Sequence, residues 1–167
     1  MIAAAAIRVR RARREDWPAV RGLLREIDDL HAAIAPEYFR ATARAEDEWL
    51  RLLEEDATAV FVGEHQSQLG AGSVAGAVAV LVARIYDTPD NPAMVPRRRL
   101  HVETLVVASK QRRHGIGSRM MFEVAQWGRG HGAVELVLTT WVGNRDAAAF
   151  YERLGYRELS RVLTAQL

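Results

Sequence analysis

Cysteine is absent from the 167-residue chain. Its absence excludes disulfide bonds, thiolate metal sites and a cysteine nucleophile. An acyl group therefore cannot be carried on a cysteine of this protein. The composition is compatible with a reducing compartment.

Long hydrophobic runs are also missing. The apolar stretches at residues 1–7 and 69–83 are shorter than the roughly 20 residues needed to span a bilayer. An arginine-rich run at residues 8–14 follows the first stretch instead of preceding it, which is the wrong order for a secretory signal. We therefore expect a cytoplasmic protein with no membrane partner.

A strong excess of one charge is lacking as well. The 23 basic and 21 acidic residues leave a net charge of +2, and Lys110 is the only lysine. The arginine clusters at residues 8–14 and 97–99 lack the interleaved aromatic residues that stack on bases, so we expect no nucleic-acid partner. With 49% apolar residues and no linker-like segment, the chain is predicted to form a single domain over residues 1–167.

Hydrophobic periodicity predicts alternating strands and helices. The predicted strands lie at residues 7–9, 58–63, 73–86, 99–107, 133–141 and 156–163, with a turn at 64–72 that makes a hairpin of the second and third. The predicted helices begin at Asp16, Pro36, Gly115 and Asn144, and the last two end at Trp127 and Leu154. This order predicts an α+β fold, with a mixed, mostly antiparallel sheet of about six to seven strands flanked by four helices.

The most informative segment is the loop within residues 106–118, VVASKQRRHGIGS. Gly115 and Gly117 open the following helix and permit close backbone approach, so the N–H groups from His114 to Ser118 can point at one anion. The positive end of the helix favours the same ligand. The pattern predicts a site for a phosphorylated cofactor, with a simple helix-entry turn as the alternative.

Two other phosphate-binding motifs do not match this loop. A P-loop places a lysine directly after its second glycine, whereas Lys110 precedes both glycines here. A dinucleotide fingerprint needs a small residue where Met120 stands. ATP binding by a P-loop is therefore excluded, and NAD binding is disfavoured.

Two motifs together resemble the GNAT superfamily of acyl-CoA-dependent N-acetyltransferases. Residues 112–117, RRHGIG, are similar to the family's Arg/Gln-x-x-Gly-x-Gly/Ala signature. Residues 144–156, NRDAAAFYERLGY, look like its Asn-x-x-Ala-x-x-Phe-Tyr-x-x-x-Gly-Phe/Tyr segment. The match at the level of motifs covers about residues 100–157, and the order of elements is similar along the whole chain.

The resemblance implies that acetyl-CoA is the acyl donor and lies in a V-shaped opening between two central parallel strands, residues 99–107 and 133–141. Its pantetheine arm would pair with the backbone near Leu105, Val106 and Val107. Its pyrophosphate would lie on the amides of a set of loop and helix residues: Arg112, Arg113, His114, Gly115, Ile116, Gly117 and Ser118. The side chains of the two arginines would either meet a phosphate or remain solvated.

The second motif offers a proton donor. Tyr151 lies on the apolar face of its predicted helix, where the family precedent makes it the acid that protonates the departing thiolate. A core aromatic residue is the alternative. Asn144 would either contact the cofactor or simply cap the helix.

An acidic residue is expected near the cofactor strand in such a fold, and Glu103 has that position. It would act as a base, directly or through water, unless it forms a cross-strand ion pair with a neighbouring arginine. His101 has the same strand parity and would share its face, provided that no bulge interrupts the alternation.

The acceptor side is less specified by sequence. The resemblance implies a pocket lined by residues 28–40 and 86–99 and by Trp141. Asp28, Asp29 and Glu37 could attract a cationic amine, although a solvated helix face also explains the two aspartates. The rings of His31, Tyr38 and Phe39 could pack on this amine. The acceptor would be a small-molecule amine or a peptide.

The sequence therefore predicts a GNAT-type N-acetyltransferase that acts by direct transfer in a ternary complex. A non-catalytic acyl-CoA sensor or interaction domain of the same fold is the alternative. No metal is required by either function. Exposed sheet edges in this fold also favour a homodimer.

Overall fold

The computed structural model describes residues 7–65 and 76–166. These residues form a five-stranded sheet in which the strands are ordered as they occur in the chain. The strands are β1 (Ile7–Arg11), β2 (Thr58–His65), β3 (Ala77–Asp87), β4 (Arg98–Val107) and β5 (Glu135–Leu138). Neighbours pair antiparallel except β4 and β5, which are parallel.

The described residues also form four α-helices. They are α1 (Trp17–Ile34), α2 (Glu46–Glu54), α3 (Ile116–Gly130) and α4 (Arg145–Arg153). Helices α1 and α2 pack on one face, over Val60, Val80 and Val106, and α3 packs on the other, over Phe61, Leu81 and Leu100. Strands β2 and β3 are buried on both faces, which is why their sequences are nearly continuous apolar runs instead of alternating ones.

A bulge interrupts β4. Val82 of β3 pairs with Thr104, but Ala83 pairs with Val102, so Glu103 is an extra residue on β4. The bulge reverses which side chains face α3. Leu100 and Val102 belong to the α3 core before it, whereas Leu105 and Val107 pack there after it.

The parallel ladder between β4 and β5 is short. It joins Arg99–Val102 to Glu135–Leu138 and stops there. From Glu103 to Val107, the β4 edge that would face β5 has no strand partner in the described part of the chain. The ladder thus ends where β5 ends, about halfway along β4.

Several predicted boundaries require correction. The sheet has five strands, not six to seven, because residues 156–163 form no strand. All of those residues except Tyr156 are exposed, and an apolar–polar pattern makes a strand only when a neighbouring strand accepts its hydrogen bonds. The strand predicted at 133–141 shortens to Glu135–Leu138.

The second helix begins ten residues later than predicted. Residues 36–38 form a turn after α1, in which the N–H groups of Tyr38 and Phe39 donate to the Ala35 carbonyl. The predicted turn at 64–72 is also displaced, since Glu64 and His65 belong to β2. The rest of that turn, and residues 73–75 of the next predicted strand, lie outside the described residues. The antiparallel hairpin of β2 and β3 is confirmed.

No helix in the described ranges is both long and apolar enough to cross a membrane.

Helix α3 approaches β4 closely because Gly128 has no side chain. A Cβ on Gly128 would lie 2.6 Å from Cδ2 and 3.2 Å from Cβ of Leu100, which is 1% exposed. At Gly130, near the end of the same helix, a Cβ would meet no atom within 4 Å.

We expect Gly128→Ala to lower the free energy of unfolding relative to Gly130→Ala by about 1–3 kcal/mol, the usual cost of overpacking. Both variants gain helix propensity, worth up to about 1 kcal/mol in a helix interior, so their comparison isolates the clash with Leu100. Urea unfolding of the two variants measures the difference. Equal stability would show that the distance between α3 and β4 is not set by this glycine.

Candidate active site

The free edge of β4 presents backbone donors. Ala108 N–H donates to the Val78 carbonyl at 2.9 Å, which fixes the alternation along the antiparallel ladder. In this register the peptide groups of Leu105 and Val107 point away from β3, toward the edge that β5 does not cover. Val106 points toward β3, and its side chain is buried beneath α1. Of the three predicted strand contacts, the geometry therefore leaves the peptide groups of Leu105 and the N–H of Val107 available, since the Val107 carbonyl accepts from Arg112 Nε.

The loop after β4 connects this free edge to the N-terminus of α3. Two of its residues have left-handed backbone conformations, Arg113 with φ 66° and Gly115 with φ 76°. Gly115 is the N-cap and has no side chain to cap the helix, and the first helical bond runs from Arg119 N–H to its carbonyl. Among the described residues, none accepts from the backbone N–H groups of Gly115, Ile116, Gly117 or Ser118. Four adjacent donors are thus free for an anion.

The two loop arginines have different surroundings. Arg112 folds back on the strand, where its Nε donates to the Val107 carbonyl at 3.1 Å and its Nη2 lies 3.7 Å from Glu26 on α1. Glu26 also accepts from Ser109 N–H at 3.0 Å, so it fastens the loop to α1. Arg113 is exposed and forms no ion pair within residues 7–65 and 76–166. Its guanidinium is the one of the two that is available to a phosphate.

Gly117 allows α4 to pack against this helix end. A Cβ on Gly117 would lie only 3.0 Å from Cζ of Phe150, so the aromatic ring occupies the space that a side chain would need. Asn144 caps α4, with its side chain accepting from Ala147 N–H at 3.2 Å. That contact is the capping role expected as one alternative for Asn144.

Tyr151, the residue after Phe150, packs against the core beneath α3. Its ring lies 5.1 Å from that of Phe150 and 5.7 Å from that of Tyr156. Burial, and then the nearby Tyr156, raise the pKa of Tyr151 to about 12. Its hydroxyl has no hydrogen-bond partner in the ranges that the structure describes, so the phenol keeps its proton at neutral pH and has no acceptor of its own.

Glu103 lies on the opposite face of the sheet. Its Oε1 accepts from the Tyr86 hydroxyl at 2.9 Å and lies 3.3 Å from Arg84 Nε. That Arg84 contact is within ion-pair distance but does not have hydrogen-bond geometry. Arg84 also meets Glu55 at 2.7 Å. The cross-strand ion pair expected as an alternative for Glu103 is therefore present, and its other oxygen, Oε2, accepts no hydrogen bond from a described residue.

His101 shares that face, as predicted. Its ring lies 5.9 Å from that of Tyr86, the same residue that bonds Glu103. The bulge at Glu103 therefore does not separate the two side chains. Burial raises the pKa of the Tyr86 hydroxyl, and its hydrogen bond to Glu103 adds to the effect.

The aspartates predicted for the acceptor side are paired. Arg44 binds Asp28 through both carboxylate oxygens, at 2.7 and 2.8 Å, and Asp28 is buried. Asp29 is exposed and lies 3.8 Å from Arg25, one turn earlier on α1. Neither carboxylate is a free anionic site for a cationic amine.

Aromatic residues expected near the acceptor do come together. The rings of His31 and Phe39 stack at 4.7 Å, and Trp141 lies 4.8 Å from Phe39 and 5.2 Å from Tyr38. We call these four side chains the aromatic cluster. The loop that carries Trp141 packs closely against the end of α1 at Gly143. A Cβ on Gly143 would lie only 3.1 Å from the Cβ of Ile34.

Sequence reasoning missed three partners of the site residues: Glu26, Arg84 and Tyr86. Each comes from an element distant in the chain from the residue that it contacts, and the contacts depend on strand register and on the packing of α1. The β3–β4 pairing was the available signal, because it brings Arg84 and Tyr86 opposite His101 and Arg99.

Three arginines of the two clusters form ion pairs within the fold. Arg10 meets Asp16 and Glu64, each at 2.8 Å. Arg98 binds Asp87 at 2.8 Å, and Arg99 binds Glu135 at 2.9 Å across the β4–β5 pair.

Within the described ranges, no group of three or more His, Asp or Glu side chains is arranged to hold a metal ion.

Comparison with protein families gives one match, the acetyltransferase (GNAT) family, over residues 17–156. No curated protein sequence matches the chain significantly.

Solved structures share the fold at low sequence identity. A mutant of the BH1408 protein from Bacillus halodurans has a TM-score of 0.85 and 22% identity, over 96% of this chain and 99% of that one. The aminoglycoside N-acetyltransferase AAC(6')-Iy in complex with CoA has a TM-score of 0.68 and 19% identity, over 96% and 94%. The aminoglycoside acetyltransferase meta-AAC0020 from an uncultured soil metagenomic sample, in complex with sisomicin, has a TM-score of 0.69 and 16% identity, over 98% and 97%.

Burial of Tyr151 has a spectroscopic consequence. With a pKa of about 12, its phenol should remain protonated at pH 10.5, where ordinary tyrosines with pKa near 10 are largely ionised. We therefore expect the native protein and Tyr151→Phe to show the same phenolate absorbance at pH 10.5. In guanidinium chloride, where all four tyrosines are exposed, the variant should lose about a quarter of it. The same loss in the native state would contradict the buried environment.

Proposed function

The chain belongs to the GNAT acetyltransferase family, and we propose that it moves an acetyl group from acetyl-CoA to a primary amine by direct attack in a ternary complex. The observation that carries the proposal is that two sets of unpaired backbone N–H groups follow each other along the chain. The free edge of β4 at Leu105 and Val107 runs into the uncapped N-terminus of α3. An extended chain ending in a diphosphate would satisfy both.

The donor would be held mainly by backbone. In our proposal the pantetheine arm pairs with Leu105 and Val107 in the V-shaped opening beyond the β4–β5 ladder. The pyrophosphate accepts from the amides of Gly115 to Ser118, where each hydrogen bond to a charged group contributes about 1.5–3 kcal/mol. Arg113 adds a guanidinium, and Arg112 holds the loop in place through the Val107 carbonyl.

Acetyl-CoA supplies an activated thioester, whose carbonyl carbon forms a bond to the amine nitrogen as its bond to sulfur breaks. A free N–H on β4 would polarise the carbonyl oxygen. The absence of cysteine supports direct transfer, because no thiol of this chain can carry the acetyl group.

Tyr151 would provide the proton for the sulfur. A phenol with pKa about 12 holds its proton more tightly than an ordinary thiol with pKa near 8.5. The transfer becomes favourable only when the sulfur is buried as well, because burial also raises the pKa of a thiol. The proton transfer would therefore depend on a dry site that raises the pKa of the departing sulfur as well as that of Tyr151.

Glu103 would serve the amine. Tyr86 and Arg84 hold its Oε1, which leaves Oε2 directed to other partners. We propose that Oε2 takes the amine proton, directly or through a water molecule. This proton then leaves to solvent, from which the Tyr151 phenolate regains the proton that it gave to the sulfur. Arg84 and Tyr86 would act as positioning residues for this carboxylate.

Release of free CoA thiol in the presence of an amine tests the activity. We expect acetyl-CoA turnover to depend on the amine. Tyr151→Phe should lower kcat by tenfold or more while the Kd for acetyl-CoA changes less than twofold, because the hydroxyl would meet only the departing sulfur. A colorimetric thiol assay over amines, amino acids and peptides, with mass analysis of products, provides the readout. Binding of acetyl-CoA without transfer to any acceptor would favour a non-catalytic sensor instead. Unchanged kcat in the variant would remove Tyr151 from the mechanism.

Ser118 offers a test of the phosphate site, because it is exposed at the third position of α3. In Ser118→Glu the carboxylate would be favourable for the helix itself, by about 0.3–1 kcal/mol, but would repel a pyrophosphate. We expect its Kd for acetyl-CoA to rise at least tenfold relative to Ser118→Gln, which has the same shape without the charge. Gly117 is unsuitable for this purpose because any side chain there would collide with Phe150.

Calorimetric titration of both Ser118 variants measures the difference, and thermal unfolding verifies that each is folded. Equal affinities of the two variants for acetyl-CoA would show that the pyrophosphate does not lie at the α3 N-terminus.

A further inference from the structure

The aromatic cluster occupies a defined place relative to the opening between β4 and β5. Val102 pairs with Leu138, and both strands run in the same direction. Trp141 follows Leu138 by three residues of irregular chain, and its carbonyl accepts from the N–H of Asn144, the N-cap of α4, at 2.8 Å. The cluster is therefore joined by three residues to the end of the β4–β5 ladder, the level at which the unpaired edge of β4 begins.

The cluster is only partly covered. Tyr38 is 54% exposed, and His31, Phe39 and Trp141 are half-buried. Their rings are in stacked, tilted and edge-on contact, and together they present an aromatic surface at the end of α1. Burial lowers the pKa of His31 below its ordinary value near 6.5, so the imidazole is neutral at pH 7 and does not repel a cation.

The charge around the cluster is balanced. Arg44 neutralises Asp28, and in the adjoining segment the negative charge of Glu37 is offset by the positive charge of Arg40. These four formal charges sum to zero. Asp28 is paired, whereas Glu37 makes no ion pair to a described residue. A polycationic acceptor gains most from several unpaired carboxylates, and this surface does not offer them. One exposed carboxylate beside aromatic rings suits a single ammonium group on a flat, apolar body.

We propose that the acceptor is an arylalkyl monoamine whose ring packs on the aromatic cluster, with Trp141 and Tyr38 as specificity-determining residues. This inference rests on the proposed acetyl transfer and names its acceptor class. Contacts between aromatic rings stabilise a complex beyond the area that they bury, and an ammonium group near a ring gains further attraction. The structural neighbours include enzymes named for aminoglycosides, which are polycations, whereas the acceptor proposed for this chain carries a single amine.

A matched set of amines tests the proposal: 2-phenylethylamine, 2-cyclohexylethylamine, which has the same length without a π-face, and the polycation sisomicin. We expect kcat/KM to be highest for 2-phenylethylamine, by about threefold to tenfold over the saturated analogue. Trp141→Ala should lower kcat/KM for 2-phenylethylamine at least tenfold while leaving the Kd for acetyl-CoA within twofold. A higher kcat/KM for sisomicin than for 2-phenylethylamine would overturn the proposal.

Phe122→Ala provides the matched control. Phe122 is 52% exposed on α3, away from the acceptor side, and its removal should change neither kcat/KM nor melting temperature appreciably. Tyr38→Ser is the second variant, because a residue this exposed can be replaced without loss of folding. It should lower kcat/KM for 2-phenylethylamine severalfold. If both cluster variants keep wild-type kcat/KM, the aromatic surface is not an acceptor site.

Direct binding separates this inference from the proposed function. Calorimetric titration of 2-phenylethylamine into the CoA-loaded protein should show binding that Trp141→Ala weakens at least tenfold, whether or not the amine is acetylated. Binding without any acetyl transfer would refute the enzyme and retain the aromatic site. Transfer to other amines without measurable binding of 2-phenylethylamine would retain the enzyme and refute the aromatic site.

Discussion

The single extra residue in β4 determines how the two faces of the sheet are used. Without the bulge at Glu103, the alternation of β4 would place Leu105 and Val107 on the α1 face and Val106 beneath α3. With it, Leu105 and Val107 pack beneath α3, and their peptide groups point to the edge that β5 does not cover. Glu103 itself is directed to the other face, toward Tyr86 and Arg84. One insertion thus puts the donor site and the candidate base on opposite sides of the same strand.

Local patterns in the sequence predicted the parts of the site that are local in structure. Gly115 as helix N-cap, Asn144 as the cap of α4 and the helices that follow them depend on neighbouring residues, and these were predicted to within a few residues. The strand predicted at 156–163 failed because a strand depends on a partner that its own pattern cannot supply. The V-shaped opening stays a prediction, supported by the short β4–β5 ladder.

Pairing over long distances explains what sequence reasoning left open. Asp28 could be an amine site or a solvated side chain as long as only α1 was considered, but Arg44 lies 16 residues away and reaches it after the turn that ends α1. Glu103 likewise meets Arg84 and Tyr86 only through the antiparallel register. In a chain whose cations are almost all arginines, bidentate and forked ion pairs of this kind neutralise carboxylates that a sequence presents as free.

The contact between Gly117 and Phe150 links the two halves of the proposed reaction. Phe150 rests where a side chain of Gly117 would be, so the N-terminus of α3 and the middle of α4 are held at van der Waals distance. Tyr151 follows Phe150 directly and shares the apolar core beneath α3. A displacement of the α3 N-terminus would move Phe150, and the phenol of Tyr151 would move with it. The amides that would hold the pyrophosphate and the acid that would meet the sulfur are therefore positioned by one packing contact, which accounts for a glycine within the first turn of α3.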